Sequence, residues 1–218
     1  MKLPTTKLLL VFIPILLITG GFFYVQFLQY EPLYPEQNNQ KQEVSKIPIL
    51  PNDPILGNKS SPKTIVVFED LACKACKIQQ EILNKLLKKY PKEIKIVWKG
   101  LPIKDFPYSS TKAHEYAFCM HRQNKFKEFL NLALANSSNL RPSILEQLAE
   151  KIELDADKLD DCLNSNKPQN YIKQTKRMAK ILKIQSVPAV FINGNEIKPP
   201  QTLSGWESKL NLHNEKTK

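Results

Sequence analysis

Apolar residues fall along this chain in runs of two kinds. Thr64-Ile65-Val66-Val67-Phe68 is continuous, rich in β-branched side chains and too short for a helix, so it predicts a central strand. From Lys77 to Tyr90 the pattern becomes helical. Ile78, Ile82 and Leu86 recur every four residues with Leu83, Leu87 and Tyr90 beside them, which predicts one apolar face, and Pro91 ends the run. Ile94, Ile96 and Trp98 then occupy alternate positions, the spacing of a second strand. Strand, helix and strand make a β-α-β unit with parallel strands.

From Ser109 to Ile181 the spacing is helical throughout: Ser109 to Asn124, Phe126 to Ala135, a helix opened by a capping box at Ser143-Ile144-Leu145-Glu146 and running to about Ile152, a short one from Asp157 to Leu163, and a longer one from Pro168 to Leu182. Strand character returns in Pro188-Ala189-Val190-Phe191-Ile192. Asn193-Gly194 is a hairpin turn, Glu196-Ile197-Lys198 is the returning strand, and Thr202 to Leu212 is a last helix. The order is β-α-β, a helical block, then β-β-α, without internal repeats.

Ahead of all this, Leu8 to Leu28 carries no charge and is long enough to cross a bilayer core as a helix. No small-x-small cleavage site is evident, which favours an uncleaved anchor over a cleaved signal peptide. Lys2 and Lys7 precede the span and would keep the short N-terminus in the cytoplasm, so the bulk of the chain lies outside. Glu31 to Asn52, rich in Pro, Gln, Asn and Lys, shows neither helical nor strand period and reads as an extended tether.

The 218 residues suffice for one ordinary domain plus an appendage, and 42% hydrophobic content allows a core. The formal net charge of +11 is spread over many segments with no basic-aromatic stripe, which argues for a solvated lysine surface and against nucleic-acid binding.

Chemistry concentrates in Cys73-Lys74-Ala75-Cys76. A Cys-x-x-Cys between a strand and a helix is the arrangement of a redox dithiol. With Cys73 at the helix N-terminus and Cys76 one turn inside, the free N–H groups and positive end of the helix stabilise a Cys73 thiolate. Cys73 is then the nucleophile and Cys76 the resolving thiol, and Lys74 and Lys77 should lower the Cys73 pKa further. Val187-Pro188 opens a late strand. Proline lacks an N–H, and from spacing alone either an ordinary trans proline or a cis proline facing the dithiol fits. Cys119 and Cys162 would pair in an oxidising compartment, closing a loop of roughly 43 residues and contributing roughly 2–4 kcal/mol. A second redox pair is the alternative. His114 and His121 are read as helix-surface residues, with no metal site assigned, and Trp98 and Trp206 as core aromatics.

Asn52-Asp53-Pro54-Ile55-Leu56-Gly57-Asn58 and the stretch from Ser61 to Cys76 resemble the start of a DsbA-like thioredoxin-fold domain. Leu101-Pro102-Ile103, Ala113-His114-Glu115-Tyr116-Ala117-Phe118-Cys119, Asp161-Cys162-Leu163 and the run from Val187 to Gly194 follow in the family's order. The resemblance implies an α/β thioredoxin-like fold with an inserted helical domain, preceded here by one N-terminal transmembrane helix. It implies a cis Pro188 beside a redox-active Cys73–Cys76 disulfide, a structural Cys119–Cys162 bridge, and thiol–disulfide exchange on exported proteins. Lys74 and Ala75 depart from the family's Cys-Pro-x-Cys and help set the redox potential. The buried acid that some members place six residues before the first cysteine is Val67 here, which leaves Glu69 or Asp70 as a possible proton relay to Cys76. Val187 resembles the oxidases, since isomerases often carry Thr before the cis proline.

The expected layout is a membrane anchor or signal sequence over 1–30, a flexible tether over 31–51, a DsbA-like domain over 52–212 with its helical insertion at about 107–182, and a tail over 213–218. The expected activity is that of an extracytoplasmic thiol:disulfide oxidoreductase, foremost a disulfide-forming oxidase. The alternatives are a reductase or isomerase of the same fold, or a non-catalytic envelope binding or assembly module. The expected partners are cysteine-containing exported proteins, a membrane redox partner that resets the dithiol, and the cytoplasmic membrane itself through residues 8–28. No cofactor is implied. Secretion to the periplasm after signal cleavage is the alternative to single-pass anchoring.

Overall fold

The computed structural model describes residues 16, 19–22, 24, 47–105 and 108–212. They fall in two units, Met1–Glu43 and Val44–Lys218. In the first, the described residues are helical and exposed. Most of the expected span from Leu8 to Leu28 lies outside the described residues, as do most of the expected tether and the tail. Among the described residues no helix is long and apolar enough to cross a membrane.

The second unit is built on a five-stranded sheet. β1 (Ile55–Gly57), β2 (Lys63–Glu69), β3 (Ile94–Gly100), β4 (Ala189–Ile192) and β5 (Asn195–Ile197) lie in the order β1-β3-β2-β4-β5. β2 and β3 are parallel, as a helical crossover between them requires, and the other pairs are antiparallel. The crossover is α1 (Lys74–Lys89). Five helices follow β3: α2 (Thr111–Arg122), α3 (Phe126–Ala135), α4 (Pro142–Glu150), α5 (Ala156–Asn164) and α6 (Lys167–Ile181). α7 (Leu203–Lys209) closes the chain. β1 escapes a periodicity reading because it is a three-residue edge strand, held by pairing to β3 rather than by its own pattern.

Alternation along β2 divides the core. Ile65 and Val67 face one cluster, with Ile96, Trp98, Leu83 and Leu86, while Val66 and Phe68 face the other, with Val97, Phe191 and Ala179. Both sheet faces are therefore covered, which is why β2 reads as an unbroken apolar run. Ile47, ahead of Asn52, is only 4% exposed and packs into the second cluster. The turn after β4 carries Asn193 and Gly194, both at positive φ, which lets two residues join antiparallel strands.

Two local expectations change. The capping box does not form: Pro142 takes the first turn of α4, its fixed φ suiting that place, and this moves Ser143 inside the helix, leaving Arg141 as N-cap without a side-chain bond. The buried face of α1 is rotated. Cys76, Leu83, Leu86 and Leu87 are buried, whereas Ile78 is 54% exposed. Starting the helix at Cys73 puts Cys76 inward, and the stripe seven and ten residues on follows it.

A buried polar cluster holds the start of the domain to its middle. Asp53 accepts from the Leu50 N–H at 2.6 Å, from Lys99 Nζ at 2.5 Å and from the Tyr171 hydroxyl at 2.9 Å. Lys99 and Asp53 are both fully buried, and burial pulls the Lys99 pKa down while Asp53 opposes it. Cys119 of α2 and Cys162 of α5 form a disulfide with a Cα–Cα distance of 5.8 Å. Because a buried charge without its partner is costly, Lys99→Met should lose about 3–5 kcal/mol. Tyr171→Phe, which removes one hydrogen bond to a charged group, should lose about 1–3 kcal/mol. Urea unfolding measures both, and equal losses would show that the charge pair adds nothing beyond a hydrogen bond.

Candidate active site

β2 ends at Glu69 and α1 begins at Lys74, so Asp70, Leu71 and Ala72 must turn the chain and deliver Cys73 to the helix start. Asp70 fixes that turn. Its Oδ1 accepts from the Ala72 N–H at 2.9 Å and lies 3.3 Å from His114 Nε2. Its Oδ2 accepts from the N–H groups of Ile103 and Lys104, at 2.8 and 2.9 Å, and from Ser110 Oγ at 2.9 Å. The Asp70 carbonyl accepts the Cys73 N–H at 3.0 Å. Burial works to raise the Asp70 pKa, but the hydrogen bonds from His114, Ala72 and Ile103 and the attraction of His114 hold it below the usual carboxylate range. A carboxylate so firmly ionised anchors a loop.

Cys73 is the N-cap of α1. Its backbone is extended (φ −99°, ψ 119°), and its Sγ accepts from the Cys76 N–H at 3.2 Å. Both cysteines are free thiols; Cys73 is half-buried and Cys76 fully buried. The Cys73 pKa is lowered from 9.0 to about 6. The hydrogen bond from the Cys76 thiol is the largest cause, partial burial opposes it, and the N–H groups of Cys76 and Ala75 add to the lowering. Lys74 and Lys77 are not among the leading causes. Lys74 is exposed, and water screens a charge there, whereas the helix N–H groups touch the sulfur. Burial pushes the Cys76 thiol far up, and the Cys73 hydrogen bond and the Glu69 charge push the same way.

Glu69 is the other acid beside the pair. It is fully buried, accepts from Trp98 Nε1 at 2.9 Å through Oε2, and its Oε1 has no partner among the described residues. Burial raises its pKa to about 8; the Trp98 bond works against this, and the Cys73 charge adds to it. Trp98 stacks on His114, with ring centroids 5.5 Å apart. Gly100 makes room for both rings, since a Cβ there would stand 2.5 Å from His114 Nδ1 and 2.6 Å from Trp98. The sequence pattern places His114 on a helix surface. It is buried instead, because the first turn of α2 packs onto the dithiol loop, where Nε2 also lies 3.3 Å from the Leu71 N–H.

Val187 and Pro188 lead into β4, the strand paired with β2. Their peptide bond is cis, and the Val187 carbonyl accepts from Cys73 Sγ at 3.7 Å. Lys74 and Ala75 lie exposed in the first turn of α1, next to the sulfur. Cys119 and Cys162 are paired with each other, apart from the dithiol. The structure thus brings together Glu69, Asp70, Cys73, Lys74, Ala75, Cys76, Val187 and Pro188. Sequence reading missed Trp98, Ser110, His114 and the N–H groups of Ile103 and Lys104. Only the Leu101-Pro102-Ile103 and Ala113-His114 motifs hinted at them.

A parallel β-α-β unit with a thiol capping its helix, a helical block, and a β-hairpin that brings in a cis proline define a thioredoxin-type dithiol protein. A family model described as Thioredoxin matches residues 50–211. The chain belongs to that family. Among curated relatives, "Na(+)/H(+) antiporter NhaA 3" of Salinispora tropica is 28% identical over 165 residues, covering 75% of this chain and 25% of the antiporter. A Rickettsia felis protein named "Putative protein-disulfide oxidoreductase" is 27% identical over 173 residues, covering 73% of this chain and 61% of the relative. The chain therefore spans less than two thirds of the length of either. The crystal structure of the thiol-disulfide exchange protein alpha-DsbA2 from Wolbachia pipientis has the same fold, with a TM-score of 0.65 and 21% identity over 73% of this chain and 86% of that one.

Two titrations follow. In reduced protein the Cys73 thiolate absorbance should appear with a midpoint near pH 6, and Cys76 should stay protonated through pH 9. A midpoint above 8 would show that the capping geometry does not form. Asp70 has a depressed pKa, so its contribution to stability is complete above the ordinary carboxylate range, about 4, and is lost as pH falls below it. Asp70→Asn should therefore be less stable than wild type at pH 7, with a flatter decline in urea midpoint between pH 5 and pH 2.

Proposed function

We propose that the chain is a disulfide-forming oxidase for exported proteins, working through Cys73 and Cys76. The observation that carries this reading is the Cys73 sulfur capping α1, with its pKa lowered to about 6. A stabilised thiolate favours the reduced enzyme, which makes the Cys73–Cys76 disulfide an oxidant, and it makes Cys73 a good leaving group.

A substrate thiolate attacks Cys73 Sγ in the disulfide. A substrate–Cys73 bond forms, the Cys73–Cys76 bond breaks, and the electron pair leaves on Cys76. Cys76 is buried and needs a proton at once. Glu69, protonated at neutral pH because its pKa is about 8, supplies it. A second substrate thiolate then attacks the substrate sulfur of the mixed disulfide and expels Cys73 as a thiolate. The substrate has lost two electrons and two protons. The enzyme holds both electrons; one proton resides on Cys76 after Glu69 exchanges with solvent, and the other has gone to water.

Pro188 and Val187 present backbone beside the attacked sulfur, where an extended substrate segment would lie. Lys74 and Ala75 sit in the turn that sets the potential. The Cys119–Cys162 bridge has a structural role, and a disulfide of that kind suits a compartment outside the cytoplasm. The apolar run from Leu8 to Leu28 would hold the domain at the cytoplasmic membrane, near a membrane partner that re-oxidises the dithiol.

The test is direct. Oxidised full-length protein mixed with a two-cysteine peptide should convert both peptide thiols to a disulfide, and Cys73→Ala should abolish this. The potential of the pair should be well above that of thioredoxin, about −270 mV; a value at or below that figure would make the chain a reductase. For the proton donor, Glu69→Gln should slow mixed-disulfide formation roughly 10²-fold. Corrected for substrate ionisation, the wild-type rate should fall as pH rises through about 8, where Glu69 loses its proton, and the variant should show no such step.

A further inference from the structure

The chain's charges are unevenly distributed. Between Glu146 and Asp161 lie seven acids, on or beside α4 and α5. From Cys162 to Asn195, the stretch that leads into Val187 and Pro188, there is none, while six lysines and arginines occur. The other two segments beside the dithiol are cationic as well. Lys74 follows Cys73 directly and is exposed. Lys77 lies one turn on, its N–H bonded to the Cys73 carbonyl at 3.1 Å. Lys104 is fixed next to the dithiol loop by its N–H bond to Asp70. Lys183 is exposed four residues before Val187. Among the described residues none of these four ammonium groups is in an ion pair, whereas Lys89, Lys99, Lys112, Lys125 and Lys158 are. Nearby surface acids are Glu81, one turn beyond Lys77, and Asp105, which accepts from Ser109 Oγ. Glu69 and Asp70 are buried. Two large apolar side chains are exposed on these segments, Ile78 in the second turn of α1 at 54% and Ile103, whose N–H is bonded to Asp70, at 52%.

Resting on the oxidoreductase reading above, we propose that this surface selects its substrate: a cysteine in an extended segment flanked by acidic and apolar residues. Ile78 and Ile103 would take apolar side chains beside the cysteine. The lysines, outside any ion pair among the described residues, would pair with carboxylates on either side of it. An anionic segment meeting a cationic rim gains in encounter rate, and a cationic segment is repelled from the same surface. The recognition lies outside the reacting atoms, so it governs which thiols reach Cys73 and not the exchange step itself.

The test uses three single-cysteine peptides of equal length, with aspartates, alanines or lysines flanking the cysteine. Each rate of mixed-disulfide formation with oxidised full-length protein is divided by the same peptide's rate with 2-hydroxyethyl disulfide. That removes differences in thiol acidity. The expected order is acidic over neutral over basic, with roughly tenfold between the extremes at low salt, narrowing as salt shortens the Debye length to about 3 Å at 1 M. In the Lys104→Gln/Lys183→Gln protein the acidic-to-basic ratio should fall to a few-fold or less. Lys85→Gln/Lys88→Gln, the same charge change toward the other end of α1, should keep the full ratio. Equal corrected rates for the three peptides, or a ratio that falls equally in both double variants, would overturn the inference while leaving thiol exchange intact. No reaction with any peptide would overturn both readings.

Discussion

One sulfur atom caps one helix. Cys73 takes the place a serine or aspartate usually fills at a helix N-terminus, and unsatisfied N–H groups are bound by a thiolate in their stead. That single substitution gives α1 its start, gives Cys73 its low pKa, and turns Cys76 into the core one turn later. Stability and reactivity are thus coupled in the same contact. When Cys73 is in a disulfide the cap weakens, and reduction restores it, which is the physical basis of the oxidase proposal.

Much of the surrounding structure serves to keep that sulfur in register. Asp70 gathers donors from three segments that are distant in sequence: its own turn, the loop after β3, and the start of α2. These bonds offset the cost of burying the carboxylate and also pin the turn that presents Cys73. Glu69, one residue earlier at the end of β2, is treated in the other way. Among the described residues it has one donor, Trp98, and burial raises its pKa to about 8, so the acid stays protonated near neutral pH. Two adjacent carboxyls differ in charge state because their hydrogen-bond counts differ.

The two cysteine pairs are separated by the same logic. Cys119 and Cys162 join α2 to α5 within the helical block, and Cys73 and Cys76 sit where that block meets the sheet. α2 links the two regions, carrying the disulfide at one end and His114, against the dithiol loop, at the other. The Asp53–Lys99–Tyr171 cluster ties the segment ahead of β1 to β3 and α6. The charged surface is arranged with comparable asymmetry, acids on the α4–α5 side and cations along α6 and around the dithiol.

The sequence alone determined what depends on short-range pattern. The apolar run of β2, the helical period after it, the alternation in β3, the Asn193-Gly194 turn and the Cys-x-x-Cys between strand and helix are local, and each physical cause lies within a few residues. Motif order extended this to the family and its fold. Tertiary structure decided everything that depends on which distant groups meet. It buried His114 against Asp70, set Trp98 on Glu69, and brought Lys99 to Asp53, because hydrogen bonds between distant segments leave no period in the chain. It also rotated the buried face of α1 and left Ile78 in water, since the position of the cap, not the count of apolar residues, fixes where a helix begins. The difference between Glu69 and Asp70 was beyond any pattern: two neighbouring acids in sequence become acid and anion only once their donors are in place.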